Sequence, residues 1–354
     1  MKQLGVTMPT RTAALDRIPE YARWADEAGF DSVWDYELYR NPFAMLCTCA
    51  MTTERVKLAT GLAAAFPRSP FELANAMADV DELSGGRALL GLGTGVPEFL
   101  EAFHSTDAKG MVPRMSEYID VLRISWEHLH TGEPASYEGE HYRFASPPFN
   151  PWGLRETARE RIPIMLAAMR PRLMALAGEK ADGWLGYLAT PKFVEERVRP
   201  ALAEGASRSG RDPSEIDICA EVICSVSPDR DEAYRRARIH VGFYLAHPVS
   251  DVIVELHDLK AEQQAIRQAL MTKGLAGLDE TDHALVEAFS ITGTPEEARQ
   301  KLGEWEDAFD HLALHTPYVP PLGAEESEDA YRNIVDAFGE VATSRAGESA
   351  AAAR

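Results

Sequence analysis

Short runs rich in β-branched and other apolar residues alternate along this chain with longer segments of helical periodicity. This alternation is typical of a parallel sheet whose strands are joined by helices. Eight units of this kind close more readily into a barrel than into an open sheet, so the predicted fold class is α/β, a (β/α)8 TIM barrel. The predicted strands are 4–8, 32–34, 56–62, 88–93, 164–168, 183–187, 216–226 and 311–315.

The helical segments between these strands have recognisable start and stop signals. Thr294, Pro295 and Glu297 supply a cap, a proline and an acidic residue at one predicted helix start, where they suit free backbone N–H groups and the helix dipole. Gly29 and Gly210 are predicted C-caps. The predicted helices are 18–28, 43–52, 71–83, 114–130, 171–180, 191–209 and 295–308.

Two longer segments interrupt the alternation of strands and helices. Residues 131–161 form a long connection in which 137–142 predict a surface hairpin. Residues 229–290 are charged and helical in pattern, and they predict a helical insertion after strand 7. This insertion is either a lid over the C-terminal mouth of the barrel or a solvated decoration. Residues 1–343 are predicted to form one domain, and 344–354 a disordered tail.

Charge and composition narrow the expected partners. The formal net charge is −20, which repels nucleic-acid phosphates and anionic lipid, so neither nucleic acid nor a membrane is an expected partner. The N-terminus lacks a signal-peptide core, and no apolar run is long enough to span a bilayer. The four cysteines contain no Cys-x-x-Cys spacing. We therefore expect a cytoplasmic protein with reduced thiols and no metal site.

In a parallel barrel the carboxyl ends of the strands carry the active site, and the end of the second strand contains two carboxyl groups. Asp35 and Glu37 flank Tyr36 there. A carboxyl group at this position can donate or accept a proton, especially if burial raises its pKa. The alternative is a helix cap with a solvated loop. Of the two candidate catalytic residues, Glu37 is preferred to Asp35.

The ends of the third and fourth strands are rich in small residues. Gly61, Leu62 and Ala63 would allow a flat ligand to approach the backbone closely, although tight packing explains small residues equally well. Thr94 and Gly95 follow a Gly-Leu-Gly segment that lacks the spacing of a dinucleotide-binding loop. A backbone-lined floor for a ligand ring or phosphate is the preferred interpretation.

The fifth strand ends in Ala167, Ala168, Met169 and Arg170, immediately before Pro171. A helix that starts at a proline presents N–H groups and the positive end of its dipole, which suit a phosphate. Arg170 adds a charged donor. The alternative is an ordinary junction between a strand and a helix.

Several segments, in collinear order over roughly residues 1–340, resemble the luciferase-like monooxygenase family, and in particular its branch that uses the deazaflavin coenzyme F420. The segments that carry the resemblance are 59–61, 66–71, 83–87, 90–93, 114–123, 137–139, 163–168, 177–183 and 291–297.

The resemblance implies a (β/α)8 barrel that transfers a hydride between coenzyme F420 and a small organic substrate. It implies a cis peptide at Gly61–Leu62, the coenzyme phosphate near Thr94, Gly95 and 168–170, and a homodimer. The alternatives are an FMN-dependent two-component monooxygenase that uses reduced FMN and O2, and a catalytically silent coenzyme-binding barrel. Family members often carry histidine at the mouth, where this chain has carboxyl groups at Asp35, Glu37 and Glu98.

Overall fold

The computed structural model describes residues 2–38, 40–107, 109–147 and 159–352. The strands are β1 Gln3–Thr7, β2 Ser32–Asp35, β3 Lys57–Thr60, β4 Ala63–Ala64, β5 Ala88–Gly93, β6 Ser136–Glu138, β7 Arg143–Ala145, β8 Ile164–Ala167, β9 Gly183–Tyr187, β10 Asp217–Val226, β11 Ser290–Gly293 and β12 His311–His315.

The helices alternate with these strands in the order that the sequence predicts. They are α1 Ile18–Glu27, α2 Pro42–Ala50, α3 Pro70–Ser84, α4 Pro97–His104, α5 Met111–Thr131, α6 Pro171–Lys180, α7 Pro191–Phe193, α8 Arg199–Ser209, α9 Arg230–Ala246, α10 Asp251–Leu256, α11 Lys260–Lys273, α12 His283–Phe289, α13 Pro295–Trp305 and α14 Ala324–Ala352. The predicted helix 191–209 is divided, since a π-helical turn at Val194–Val198 separates α7 from α8.

The chain has two compact units. The first contains Met1–Trp34, Gly186–Arg199 and Ile218–Arg354, and its strands pair in parallel in the order β11-β10-β12-β1-β2. The second contains Asp35–Leu185 and Pro200–Asp217, and its strands pair in parallel in the order β3-β5-β8-β9, with β4 beside β5.

All eight predicted barrel strands are present, as β1, β2, β3, β5, β8, β9, β10 and β12. Every residue of β5 is buried, which explains why this strand reads as a continuous apolar run rather than as an alternating pattern. The predicted third strand is shorter than expected, because pairing stops at Thr60 and resumes only at Ala63. Sequence reasoning missed the short elements β4, β11 and α4, and also the long C-terminal helix α14.

The segment Ser84-Gly85-Gly86-Arg87 has a structural role. Gly85 caps α3 in the left-handed region, with φ 67°. The Arg87 guanidinium donates hydrogen bonds to the carbonyl oxygens of Ser84, Val56, Thr53 and Ala50. One side chain therefore ties the end of α3 to the turn between α2 and β3.

The predicted surface hairpin is present, with β6 and β7 paired antiparallel. Glu117 of α5 accepts hydrogen bonds from the backbone N–H groups of Glu140, His141 and Tyr142 in its turn. Burial alone would raise the pKa of Glu117, but these hydrogen bonds lower it below its usual value. Glu117 thus anchors the hairpin on α5. Residues 148–158 of the predicted connection lie outside the described residues.

The predicted insertion is helical and consists of α9 to α12. Helix α14 continues through residues that were predicted to form a disordered tail, as far as Ala352, consistent with the high helix propensity of alanine and glutamate. In the part of the chain that the structure describes, no helix combines the length and apolar character needed to cross a membrane.

Candidate active site

The residues after β2 and after β3 are joined by backbone hydrogen bonds. The N–H of Gly61 donates to the carbonyl oxygen of Asp35 at 2.6 Å, and the N–H of Glu37 donates to that of Leu62 at 3.2 Å. The peptide bond between Gly61 and Leu62 is cis, as predicted. The cis peptide is therefore held between the two strand ends that carry the candidate catalytic and ring-binding residues.

Glu37 forms a paired ionic contact with Arg68. Its Oε1 and Oε2 accept hydrogen bonds from Nη2 and Nη1 of Arg68 at 2.7 and 2.8 Å, and Oε2 also accepts from the N–H of Ala64 at 2.8 Å. The two side chains are only 12% and 15% exposed. Burial alone would lower the pKa of Arg68, but the hydrogen bonds and charge of Glu37 raise it. Both oxygens of Glu37 are therefore engaged by a cation.

Asp35 is more deeply buried than Glu37, with 1% exposure. Its Oδ1 accepts a hydrogen bond from the N–H of Tyr36 at 2.8 Å. Burial, and then the negative charge of Asp35, raise the pKa of Cys49 in α2. Asp35 is thus the buried last residue of β2, whereas Glu37, two residues later, contacts the backbone of Ala64.

The predicted coenzyme-binding residues follow three adjacent strands of the second unit. Ala63 pairs with Leu92 of β5, and Leu92 pairs with Leu166 of β8. The segments that leave these strands therefore emerge side by side. The structure brings together three groups that are far apart in sequence: Gly61, Leu62 and Ala63; Thr94 and Gly95; and Ala167, Ala168, Met169 and Arg170.

The surroundings of these residues differ. The carbonyl oxygen of Ala168 accepts a hydrogen bond from Nε1 of Trp184 at 2.7 Å, which fixes the end of β8. Arg170 is exposed and precedes α6, whose N-terminus has no side-chain cap. Thr94 is half-buried and donates to the carbonyl oxygen of Gly95. An exposed arginine beside uncapped N–H groups is an arrangement that suits an anion.

A second polar group lies in the first unit. Tyr187 and His315 are the last residues of β9 and β12, and their rings pack against each other. The Tyr187 ring also packs against Tyr244 of α9, and the His315 ring packs against His240 of the same helix. His240 has no exposed surface. Helix α9 therefore packs on Tyr187 and His315, the carboxyl-terminal residues of β9 and β12, both of which belong to the same unit as α9, and this is where a lid would begin. That the insertion serves as a lid stays a prediction.

The buried carboxyl group of Glu221 lies next to His315. Thr7, the last residue of β1, donates a hydrogen bond to Oε1 of Glu221 at 3.1 Å. Nδ1 of His315 lies 3.5 Å from the same oxygen. Glu221 is 4% and His315 2% exposed. The carboxyl group of Glu221 and the imidazole of His315 are therefore close enough for an electrostatic interaction.

The family model for luciferase-like monooxygenases matches residues 2–312. The chain belongs to the luciferase-like monooxygenase family. Among its relatives is a 5,10-methylenetetrahydromethanopterin reductase of Methanolobus tindarius, 31% identical over 309 residues, which cover 81% of this chain and 86% of that protein. The family resemblance inferred from the sequence is confirmed.

Solved structures of luciferase-like proteins share the fold. The coenzyme F420-dependent tetrahydromethanopterin reductase of Methanopyrus kandleri superposes with a TM-score of 0.78 at 25% identity, covering 95% of this chain and 99% of that one. The oxygenating constituent of 3,6-diketocamphane monooxygenase from Pseudomonas putida, in complex with FMN, superposes with a TM-score of 0.70 at 16% identity, covering 98% of each chain. The predicted (β/α)8 fold class is confirmed.

Sequence reasoning missed the polar group in the first unit of this luciferase-like protein. The available signal was the one that identified Glu37, namely a polar residue at the carboxyl end of a predicted strand. Tyr187 and His315 end two predicted strands in this way. The contribution of α9 had no comparable signal, because its helical pattern does not indicate which side chains face the strands.

Proposed function

We propose that this luciferase-like protein is an oxidoreductase that transfers a hydride between coenzyme F420 and a small organic substrate. The observation that carries the proposal is the convergence of three strand ends with small residues, a helix N-terminus and Arg170 in one unit. The F420-dependent reductase among the solved relatives supports it. When bound, the deazaflavin would supply a ring carbon that exchanges hydride, and the protein supplies placement.

The residues present fit such a coenzyme. Gly61, Leu62 and Ala63 would lie behind its ring; Ala63 is buried, and the side chain of Leu62 lies against Gly93 of β5. Thr94, Gly95 and 168–170 would hold its phosphate, with Arg170 as the charged donor. Uncapped N–H groups at the start of the ten-residue helix α6 add to this site.

Proton transfer remains assigned to Glu37, with Asp35 as the second candidate. The contacts of Glu37 also support a positioning contribution, because it joins Arg68 to the N–H of Ala64 beside the proposed ring site. A role in proton transfer and a role in positioning predict different consequences of mutating Glu37.

Calorimetric titration of the purified protein tests the coenzyme. We expect F420 to bind more tightly than FMN, and Arg170→Ala to weaken F420 binding by about 1.5–3 kcal/mol through loss of a charged hydrogen bond. Arg172→Ala is the matched control, since Arg172 is also exposed but follows Pro171 inside the helix. Tighter binding of FMN, with O2 consumption, would favour the two-component monooxygenase. Binding without turnover of any substrate would favour the silent barrel.

We further propose a homodimer formed through α2 and α3, in a cytoplasmic enzyme. Luciferase-like barrels commonly pair through the helices that follow the second and third strands, which are α2 and α3 here. Four of the apolar residues of these helices, Phe43, Leu46, Leu73 and Met77, are buried in the core of the second unit and are not available to a partner. Beside them Met51, Phe71 and Leu83 remain 77%, 40% and 50% exposed.

Light scattering at micromolar concentration is expected to give twice the chain mass of 39.1 kDa. The double substitution Met51→Glu and Leu83→Glu should give the monomer mass, because it places charges in an apolar contact. Met271→Glu changes an equally exposed methionine of α11 and should leave the mass unchanged. A monomer mass for the unmodified protein would contradict the proposal.

A further inference from the structure

Three arginine side chains meet at the amino ends of β8 and β9, within the second unit. Arg161 precedes β8, and Arg211 follows α8. Arg123 of α5 lies beside Asp182, which immediately precedes β9. We call Arg123, Arg161 and Arg211 the arginine cluster. The proposed coenzyme site follows the carboxyl end of β8, so the arginine cluster is separate from it.

Asp182 is the carboxylate that contacts the arginine cluster. Its Oδ1 accepts a hydrogen bond from Nη2 of Arg161, and its Oδ2 accepts one from the N–H of Ile164 at 2.9 Å. Nη2 of Arg123 lies 3.5 Å from Oδ2, outside the usual hydrogen-bond range of about 2.7–3.2 Å. Both oxygens of Asp182 are therefore engaged by other groups, and Arg123 has a long ion pair in place of a hydrogen bond.

The guanidinium groups of Arg123 and Arg211 are incompletely satisfied. Nε and Nη2 of Arg123 are buried, and neither has a hydrogen-bond partner among the described residues. Nη1 of Arg211 donates to the carbonyl oxygens of Gly178 and Ala181 at 3.1 and 2.7 Å. Carbonyl oxygens at the end of a helix carry partial charges, so these contacts do not neutralise Arg211.

The arginine cluster carries more positive charge than its surroundings balance. Burial lowers the pKa of Arg123 below its usual value, and the charges of the other two arginines lower it further, although Asp182 opposes the change. The next carboxylate, Asp120, is bonded to Lys180 at 2.5 Å, which makes that pair neutral. Within the part of the chain that the structure describes, three guanidinium groups thus share one carboxylate, a local surplus of two positive charges.

We propose that the arginine cluster binds a phosphate group, either as free phosphate or as the phosphate monoester of a small metabolite. Such a group carries about two negative charges at neutral pH and presents three acceptor oxygens, which matches both the charge surplus and the three guanidinium groups. Planar guanidinium groups also suit the geometry of phosphate oxygens. Arg161 is 54% exposed and Arg123 28%, so the cluster is open to solvent.

Thermal unfolding of the full-length protein in phosphate-free buffer tests the site, with sodium chloride added to match ionic strength. We expect about 10 mM inorganic phosphate to raise Tm by about 2 °C or more, because a ligand that binds the folded state stabilises it by mass action. Glycerol 3-phosphate, titrated in parallel, separates the two sources, since the tighter-binding probe identifies free phosphate or a monoester. Acetate carries one charge and should raise Tm by less than half as much.

Two variants should change the phosphate affinity in opposite directions, as measured by calorimetric titration. Arg161→Ala removes an exposed guanidinium and should weaken binding about tenfold or more, the effect of losing one charged hydrogen bond. Asp182→Asn removes the competing negative charge, keeps an acceptor for the N–H of Ile164, and should tighten binding severalfold. Arg143→Ala is the matched control. It removes an exposed arginine of the same unit, paired with Glu138 at 3.5 Å, and should leave the affinity unchanged.

Arg170→Ala separates the arginine cluster from the proposed coenzyme-phosphate site. Arg170 follows the carboxyl end of β8, whereas Arg161 precedes its amino end, so phosphate should still stabilise Arg170→Ala. The titrations of Arg161→Ala and Asp182→Asn are therefore made in the Arg170→Ala protein, where the coenzyme site contributes least.

Three results would overturn the inference. The first is a Tm of the unmodified protein that phosphate leaves unchanged, or that acetate raises equally. The second is an unchanged phosphate affinity in Arg161→Ala. The third is loss of phosphate stabilisation in Arg170→Ala while Arg161→Ala retains it, which would place the phosphate at the coenzyme site. None of these measurements requires F420, so the inference stands or falls independently of the proposed function.

Discussion

Substitution of Glu37 by glutamine is expected to lower the free energy of unfolding by about 2–4 kcal/mol, because it leaves the guanidinium of Arg68 without its carboxylate partner in a mostly buried position. Arg68 keeps its hydrogen bond to the carbonyl oxygen of Ala64 and an ion pair with Glu72 at 3.4 Å. Because these contacts remain, we expect a loss of stability toward the lower end of the range that is typical of a broken buried ion pair. Urea denaturation followed by circular dichroism measures it.

A matched control is available on the surface. Glu195→Gln breaks an ion pair with Arg199 in which both side chains are about half exposed, and it should cost less than about 0.5 kcal/mol. The double variant Glu37→Gln with Arg68→Met should be more stable than Glu37→Gln alone, since no uncompensated charge remains. If Glu37→Gln and Glu195→Gln lower the free energy of unfolding equally, the Glu37–Arg68 ion pair does not stabilise the fold.

The same variant separates the two contributions proposed for Glu37 in catalysis. If Glu37 transfers a proton, Glu37→Gln should lower turnover by about 10²–10⁴-fold while the affinity for F420 stays nearly unchanged. If Glu37 acts by positioning Ala64 and the adjacent strand end, the affinity for F420 should fall together with turnover. Full activity combined with unchanged coenzyme affinity would contradict both contributions.

Substitution of Gly91 by alanine is expected to prevent stable folding or to cost more than about 3 kcal/mol. A Cβ atom at this position would overlap the carbonyl oxygen of Thr60 in the neighbouring strand β3. That strand cannot shift easily, because the Thr60 hydroxyl also donates to the carbonyl oxygen of Gly91 at 2.8 Å. Backbone atoms would have to separate, and tightly packed cores resist such movement.

Thermal and urea unfolding of Gly91→Ala measure this effect, with Gly303→Ala as the control. Gly303 lies in α13 with open space around it, so the added methyl group should raise stability by about 0.5–1 kcal/mol through helix propensity. Unchanged stability of Gly91→Ala would show that the two strands are less tightly apposed than described.

Local patterns in the sequence were sufficient to predict the eight barrel strands and the helices that join most of them. The apolar runs identify parallel strands because such strands are buried on both faces, and cap residues such as Thr294 mark where helices begin. The strand ends proposed to bind the coenzyme could be located for the same reason. In a barrel of parallel strands, residues that follow neighbouring strands meet at one face even when they are far apart in sequence.

The partners of the side chains at these strand ends were decided only by the tertiary structure. Glu37 and Arg68 are 31 residues apart, and no local pattern indicates that the arginine engages both oxygens of the carboxylate. Tyr187, His240 and Tyr318 come from a strand, an inserted helix and a loop, and no local pattern indicates that they contact one another. Local sequence determines backbone conformation through dihedral preferences and burial, whereas side-chain partners depend on distances between elements that exist only after the chain has folded.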